Sequence, residues 1–163
     1  MPLVDASWTG SPTASHIEYG GSHGSFYITA GAATTIAAGS TDYKQTSTTT
    51  VAGASLVGFS HTSPNRLTYL SPDTKMFLAK ATVVLTAAAD AKTIGIRIAK
   101  DGVSVASSEV DLAMATGAVP TVFNSQCLVE LDHDEYLEIW ISNETDGTNA
   151  TVATGHLVVT EVE

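Results

Sequence analysis

Histidines and carboxylates are the side chains of this chain that could bind a metal ion or move protons. The chain has five histidines, and none of their spacings matches a His-x-His pair or a metal-binding helix. They are His16, His23, His61, His133 and His156. Dispersed histidines are typical of surfaces and turns, so the sequence predicts no metal site and no cofactor.

One turn concentrates acidic residues: Glu130, Asp132, Asp134 and Glu135 lie close together. Carboxylate oxygens are the ligands that calcium prefers, but the D-x-D-x-D-G pattern of a common calcium loop is absent. The interpretation we favour is a solvated turn between two strands. A calcium ion bound in this turn is the alternative.

The sequence shows no arrangement typical of nucleophilic catalysis or phosphate binding. It has no G-x-S-x-G elbow, and the glycines at 20 and 21 precede no helical pattern. Two sequons begin at Asn143 and Asn149, but without a secretory signal they are expected to be turn residues. We therefore predict that the chain is not an enzyme.

The elements that would position any site are β-strands. Segments 92–102 and 135–143 alternate apolar and polar residues with a period of two, which is typical of strands that bury one face. Asp101-Gly102 predicts a tight hairpin turn at the end of the first of them. The apolar face of these two segments consists of Ile94, Ile96, Ile98, Leu137, Ile139 and Ile141.

Further strands are predicted at residues 75–87, 104–110, 121–131 and 156–162, with shorter ones between 24 and 53. Residues 111–117 are expected to form a loop or a single turn, with a short helix as the alternative. Because no segment shows a sustained helical stripe, the pattern predicts an all-β, antiparallel fold.

Composition excludes several classes of function. The 163 residues suffice for one domain with a core, 15% of them are charged, and the net charge is −10. Seven basic residues, spread singly, argue against nucleic-acid binding and against docking to anionic lipid. The single cysteine, Cys127, lies on a predicted apolar strand face and is expected to be buried. No secretory signal or membrane-spanning run is expected, so no membrane partner is predicted.

Residues 1–24 lack the strand pattern and are rich in Ser, Gly and Thr. They contain Trp8, Ile17 and Tyr19, residues that a solvated tail seldom keeps. We interpret them as an arm ordered by a partner, followed by one domain over residues 25–163. A disordered tail is the alternative.

Tyr136, Glu138 and Trp140 lie on the face of their strand opposite its apolar set. If the apolar set fills the core, two large aromatic side chains point away from it. Aromatic residues on an outward strand face are typical of an interface between subunits. The alternative is a half-buried second side of the sheet that the N-terminal arm covers.

The order of several weak motifs resembles the tumour-necrosis-factor-like jelly-roll domains found in structural proteins of tailed bacteriophages. The motifs are GFSHT, NRLTYLSPDTKMFLAKATVVLTA, IRIAKDGVSVASSEV, LVELDHDEYLEIWISN and GHLVVTEV, in this order. The resemblance covers about residues 30–162, and its persuasive feature is the order, since no single motif is diagnostic. The turn at residues 132–135 lacks the glycine often seen there, which implies a different turn type.

The resemblance implies an antiparallel jelly-roll sandwich and a tight homotrimer, with Tyr136, Glu138 and Trp140 at the subunit contact. It implies a capsid decoration (cement) protein that binds the major capsid protein on the virion surface after synthesis in the host cytoplasm. The N-terminal arm, through Trp8, Ile17 and Tyr19, would contact the capsid. The alternative function is a receptor- or glycan-binding module of a head fibre or fibre tip, although the chain has no coiled-coil shaft.

Overall fold

A computed structural model describes residues 21–44 and 47–162 of the chain. These residues form two antiparallel sheets and one short 3-10 turn, Ala106–Ser108. The strands are β1 (His23–Gly31), β2 (Ala33–Thr34), β3 (Tyr43–Lys44), β4 (Ser47–Ala52), β5 (Phe59–Ser60), β6 (Leu67–Tyr69), β7 (Lys75–Ala87), β8 (Lys92–Lys100), β9 (Val103–Ser104), β10 (Val110–Met114), β11 (Thr121–Leu131), β12 (Tyr136–Asn143) and β13 (Ala150–Glu161). The predicted all-β class is confirmed.

The strand order is that of a jelly roll. The first sheet runs β11-β7-β13-β1-β4, with β2 paired to β13. The second runs β10-β8-β12-β6-β5, with β3 paired to β12 and β9 to β8. Most neighbouring strands are distant in sequence, so the two sheets depend mainly on long-range pairing. No described helix is long and apolar enough to cross a membrane.

The core lies between the sheets and consists of the alternating apolar sets. The isoleucines of β8 are 0% exposed, and so are Leu137, Ile139 and Ile141 of β12, as the period of two predicts. Phe77, Val83 and Leu85 of β7 meet them from the first sheet and are also 0% exposed. Cys127 is buried on the same side, and this burial raises the pKa of its thiol to about 11. The predicted core faces of these strands are therefore confirmed.

The hairpin after β8 is also confirmed. Asp101 and Gly102 both have positive φ, 50° and 77°, as a two-residue turn with this twist requires. The turn returns the chain so that Lys100 pairs with Val103. The glycine avoids the steric cost that another residue would carry at this position.

Two local predictions near this hairpin are wrong. Residues 104–110 were expected to be a strand, but the chain leaves the ladder and makes the 3-10 turn. The Ser108 hydroxyl stabilises that turn, because it accepts a hydrogen bond from Ile98 N–H at 2.8 Å and donates to the Val105 carbonyl at 2.6 Å. Residues 111–117, expected to be a loop or turn, begin with β10, since this segment pairs along the edge of β8.

The start of the first sheet lies a little earlier than the expected domain boundary at residue 25. His23 and Gly24 already pair with Thr160 and Val159 of β13. Ser22 N–H donates to the Glu161 carboxylate at 2.6 Å. Residues 21–24 therefore belong to the sandwich, while the proposed contact residues Trp8, Ile17 and Tyr19 lie outside the described residues.

Candidate interaction surfaces

The acidic turn is held together by bonds within the chain. The Glu135 carboxylate accepts a hydrogen bond from Asp132 N–H at 2.7 Å and pairs with Lys100 Nζ at 2.6 Å. Burial opposes ionisation of Glu135, but these two partners hold its pKa below the ordinary value. Over residues 21–44 and 47–162, no group of three or more His, Cys, Asp or Glu side chains converges on a metal position. The turn therefore has the structural role of joining β11 to β12.

The histidines that the structure describes do not converge. His23 Nδ1 lies 2.9 Å from the Gly21 carbonyl. Burial is the main cause that lowers the pKa of His61, whose ring lies 5.4 Å from that of Phe26. His16 lies outside the described residues. These contacts are those of packing and turn residues.

The sequence-predicted interface residues lie on the outer surface of the second sheet, which we call the β12 face (Arg66, Arg97, Tyr136, Glu138 and Trp140). Glu138 is 2% exposed although it points away from the core. Its carboxylate accepts a hydrogen bond from Trp140 Nε1 at 3.0 Å and pairs with Arg66 Nη2 at 3.3 Å. The Arg66 guanidinium lies 3.6 Å from the centre of the Tyr136 ring. Both aromatic rings are half-buried by these neighbours, and their place in a trimer stays a prediction.

The rest of the β12 face is a network of charges around Arg97. Its guanidinium bridges Asp42 and Glu109, and Glu144 Oε1 lies 4.0 Å from it. Partial burial and the neighbouring Glu109 raise the pKa of Asp111, and the hydrogen bond from Arg97 lowers that of Glu109. This face is therefore rich in charge that is paired within one subunit.

The outer surface of the first sheet has the opposite character, and we call it the β7 face. It contains exposed apolar side chains from both ends of the sheet and from four of its strands. Lys80 and Glu130 are the charged residues that alternate outward from the described parts of these strands. Its exposed apolar residues are Tyr27 (44%), Val51 (49%), Met76 (40%), Val122 (55%) and Leu128 (60%).

Strand register pairs some of these residues with apolar neighbours, and polar pairs such as Asn124 with Thr82 lie between them. Leu128 lies opposite Leu78, and Val122 lies opposite Val84. Tyr27 lies opposite His156, and their rings are 6.2 Å apart. A depression of about 550 Å³ opens beside this pair, and another of about 390 Å³ lies beside Lys80. Several exposed apolar side chains on one strand face are typical of a contact with another protein.

Sequence reasoning missed the β7 face. The signal was present, because β7 and β11 carry large apolar residues at outward as well as inward positions, for example Leu78 and Leu128. Alternation identifies which residues share a strand face, but it does not show which outer face of the two sheets is covered by a partner. The search for aromatic residues drew attention to β12 instead.

The fold defines the class of protein. No protein-family model matches the sequence, and no curated protein matches it. Among solved structures, the Eiger TNF of S. frugiperda is similar with a TM-score of 0.54 and 9% identity, over 88% of this chain and 94% of that one. Murine APRIL, in a crystal at pH 5.0, has a TM-score of 0.54 and 12% identity, over 85% and 98% of the two chains.

A third similar structure is the vertex protein P5 of PRD1, with a TM-score of 0.53 and 10% identity, over 88% of this chain and 99% of that one. At such identities the likeness concerns the fold alone. The predicted tumour-necrosis-factor-like jelly roll is confirmed, and one of the proteins that share this fold is a phage structural protein.

Proposed function

We propose that the chain is a virion structural protein, a homotrimeric decoration (cement) protein that binds the major capsid protein and stabilises a phage head shell. The observation that carries this proposal is the β7 face, a broad and weakly charged apolar surface on a jelly roll. The shared fold of the PRD1 vertex protein supports a structural role in a virion. A protein that binds only the assembled shell stabilises it by mass action.

The trimer needs a subunit contact, and two surfaces compete for it. The β12 face is the sequence-predicted contact through Tyr136, Glu138 and Trp140. The β7 face is better supported, because its apolar side chains have no covering segment among the described residues. Charge also favours it: the chain carries a net charge of −10, and copies repel least where acidic residues are few.

The shell contact is assigned to the N-terminal arm with Trp8, Ile17 and Tyr19. The described chain begins at Gly21, and the next residue, Ser22, is bonded to Glu161 at one end of the sandwich. A truncation that removes residues 1–20 leaves every described strand intact. We therefore expect the truncated protein to fold and trimerise but to lose shell binding.

The test uses purified protein and expanded, undecorated shells of the phage that encodes the chain. The full chain should bind to saturation with fixed stoichiometry and should raise the temperature at which shells rupture. Light scattering of the unbound protein should give about 51 kDa, three times the 16.9 kDa of one chain.

Three results would contradict parts of this proposal. Absence of shell binding, with binding to bacterial cells or a glycan array, would support the fibre-tip alternative. A mass of 16.9 kDa at micromolar concentration would exclude the trimer. Full shell binding by the truncated protein would remove the arm as the anchor.

A further inference from the structure

The first sheet ends in an unusually open edge strand, β11. The two main strand orders end in four strands: β4 has 6 residues, β5 has 2, β10 has 5 and β11 has 11. Long edge strands invite pairing with another chain, and proteins commonly protect them with Lys, Pro or a bulge. β11 contains no Lys, Arg or Pro, and its pairing with β7 has no register shift.

Hydrogen bonds at one end of the sheet show which backbone groups of β11 point to the open side. The Met76 carbonyl accepts a hydrogen bond from Val162 N–H at 2.9 Å, so the Met76 backbone points toward β13. Its partner across the ladder is Glu130, whose backbone must then point away from β7. Consistent with this, the Glu130 carbonyl accepts a hydrogen bond from Lys100 Nζ at 2.8 Å.

Because the register is continuous, every second residue repeats this orientation. The N–H and C=O groups of Val122, Asn124, Gln126 and Leu128 therefore point to the open side. Among the described residues, none of these backbone groups has a hydrogen-bond partner. We call this row of groups the β11 edge.

The side chains along the β11 edge fit an added strand. Val122 and Leu128 are exposed on the outer side, and the inward Cys127 and Val129 are 6% and 7% exposed at the margin of the core. Residues 121–129 carry no charge, while the chain as a whole has a net charge of −10. The chemistry favours an uncharged or basic partner strand with apolar residues at alternate positions.

A second copy of this chain is a poor occupant. Pairing β11 with another β11 would place a twofold axis at the edge and close a dimer, whereas the proposed assembly is a trimer. An extended segment of a different protein meets no such restriction. It would gain main-chain hydrogen bonds from four residues and apolar contacts on both sides.

We propose that the β11 edge takes up an extended strand of the shell protein, which adds to the first sheet beside Val122–Leu128. The inference rests on the proposed decoration function and names the mode of shell contact. The β11 edge would thus be a second shell contact in addition to the N-terminal arm, and it would bind through main-chain hydrogen bonds.

The test compares Gln126→Pro with Gln126→Ala, using undecorated shells of the same phage. Proline removes the outward N–H of residue 126 and its ring obstructs an incoming strand, yet proline is tolerated where the N–H faces solvent. Alanine removes the same side chain and keeps the N–H. We expect Gln126→Ala to bind shells like the unchanged protein and Gln126→Pro to bind at least tenfold more weakly.

A second measurement does not depend on the folding of the proline variant. Amide hydrogen exchange of the unchanged protein should slow at residues 122, 124, 126 and 128 when shells bind. Exchange at the β11 amides that face β7 should change little. Equal binding by both variants, or unchanged exchange at these amides, overturns the edge contact while decoration stands. If the unchanged protein binds no shells, the proposed function and this inference both fall.

The remaining alternative is that the chain's own N-terminal arm pairs with the β11 edge. One comparison tests this alternative. Deleting residues 1–20 should leave exchange at the four outward amides unaltered in the absence of shells. Faster exchange in the truncated protein would show that the arm already covers the edge, and the inference would then be wrong.

Discussion

The outer faces of the two sheets differ in what their side chains bond to. On the β12 face, Glu138 is bonded to both Trp140 and Arg66, and Arg97 bridges two carboxylates. On the β7 face, Tyr27 and Leu128 remain 44% and 60% exposed, with Lys80 the charge nearest its centre. The first face forms most of its polar contacts within one subunit, although Ser142 Oγ and Glu144 Oε1 are buried there without a hydrogen-bond partner among the described residues. The second face leaves its apolar side chains uncovered by any described segment.

This difference teaches that a large aromatic residue on an outward face is weak evidence for an interface. Trp140 contributes to the stability of its own sheet, because its indole N–H helps to compensate a buried carboxylate. Smaller residues such as Val122 and Leu128 have no such task among the described residues. An apolar side chain without an internal role is the better indicator of a partner.

The largest expected effect is the loss of the trimer in Tyr27→Asp and in Val122→Asp. Both residues lie on the β7 face and are about half exposed, so the subunit should fold without them. In the assembled trimer, each substitution would bury an uncompensated charge at a cost of about 3 kcal/mol or more, over a hundredfold in affinity. Light scattering should give the mass of one chain.

Val103→Asp is the matched control for this experiment. Among the described residues, Val103 is the most exposed large apolar one, at 69%, but it lies in the hairpin after β8, away from the β7 face. It should leave both the mass and the unfolding temperature unchanged. If Val103→Asp dissociates the protein and Tyr27→Asp does not, the β7 face is not the subunit contact.

The second prediction concerns Trp140→Phe, which removes the indole N–H and keeps an aromatic ring. Glu138 would lose one hydrogen bond to a buried carboxylate, so the free energy of unfolding should fall by about 1.5 kcal/mol. Thermal or denaturant unfolding measures this loss, and the oligomer mass should stay that of a trimer. If the Trp140→Phe trimer dissociates and the subunit loses no stability, the subunit contact lies on the β12 face.

The sequence predicted the fold better than the surfaces, for a physical reason. Strand faces follow from the period of two, so the buried sets of β7, β8 and β12 could be read directly, as could the Asp101-Gly102 turn. The 3-10 turn depended on Ser108 meeting the backbone of Ile98, and β10 depended on the free side of β8. Such long-range partners leave no local pattern in the sequence.

The candidate surfaces depend on long-range geometry even more. Arg66 is distant in sequence from Glu138, yet it pairs with this carboxylate and lies over the Tyr136 ring. Likewise, the β11 edge exists because β11 lies outermost in the sheet, which only the strand order reveals.

The third prediction uses salt to separate the faces. An assembly through the apolar β7 face, with Lys80 as its central charge, should persist when the salt concentration rises from 0.1 to about 1 M. Contacts through the charged β12 face would be screened and should weaken. Sedimentation at both salt concentrations gives the answer, and dissociation at high salt would count against the β7 face.

The smallest expected effect concerns Asp111 at the margin of the β12 face. Its folded pKa is raised, first by partial burial and then by Glu109, so its ionised form is disfavoured in the folded chain. Stability from this group is complete below the unfolded pKa of about 3.9 and is lost as pH rises through the higher folded pKa. Asp111→Asn, which cannot ionise, should therefore melt slightly higher than the unchanged protein at pH 7 and should have no advantage at pH 3.

Differential scanning calorimetry from pH 3 to 7 measures this difference, with Asp134→Asn as the control. Asp134 is exposed in the turn between β11 and β12, beside His133 and far from the carboxylates around Arg97, so it reports the effect of the same substitution outside the β12 face. A gain for Asp111→Asn that stays constant with pH would mean that ionisation is not its cause. If instead the gain grows with pH, ionised Asp111 lowers the stability of each subunit. This cost would then arise within one subunit, without a contact to a second.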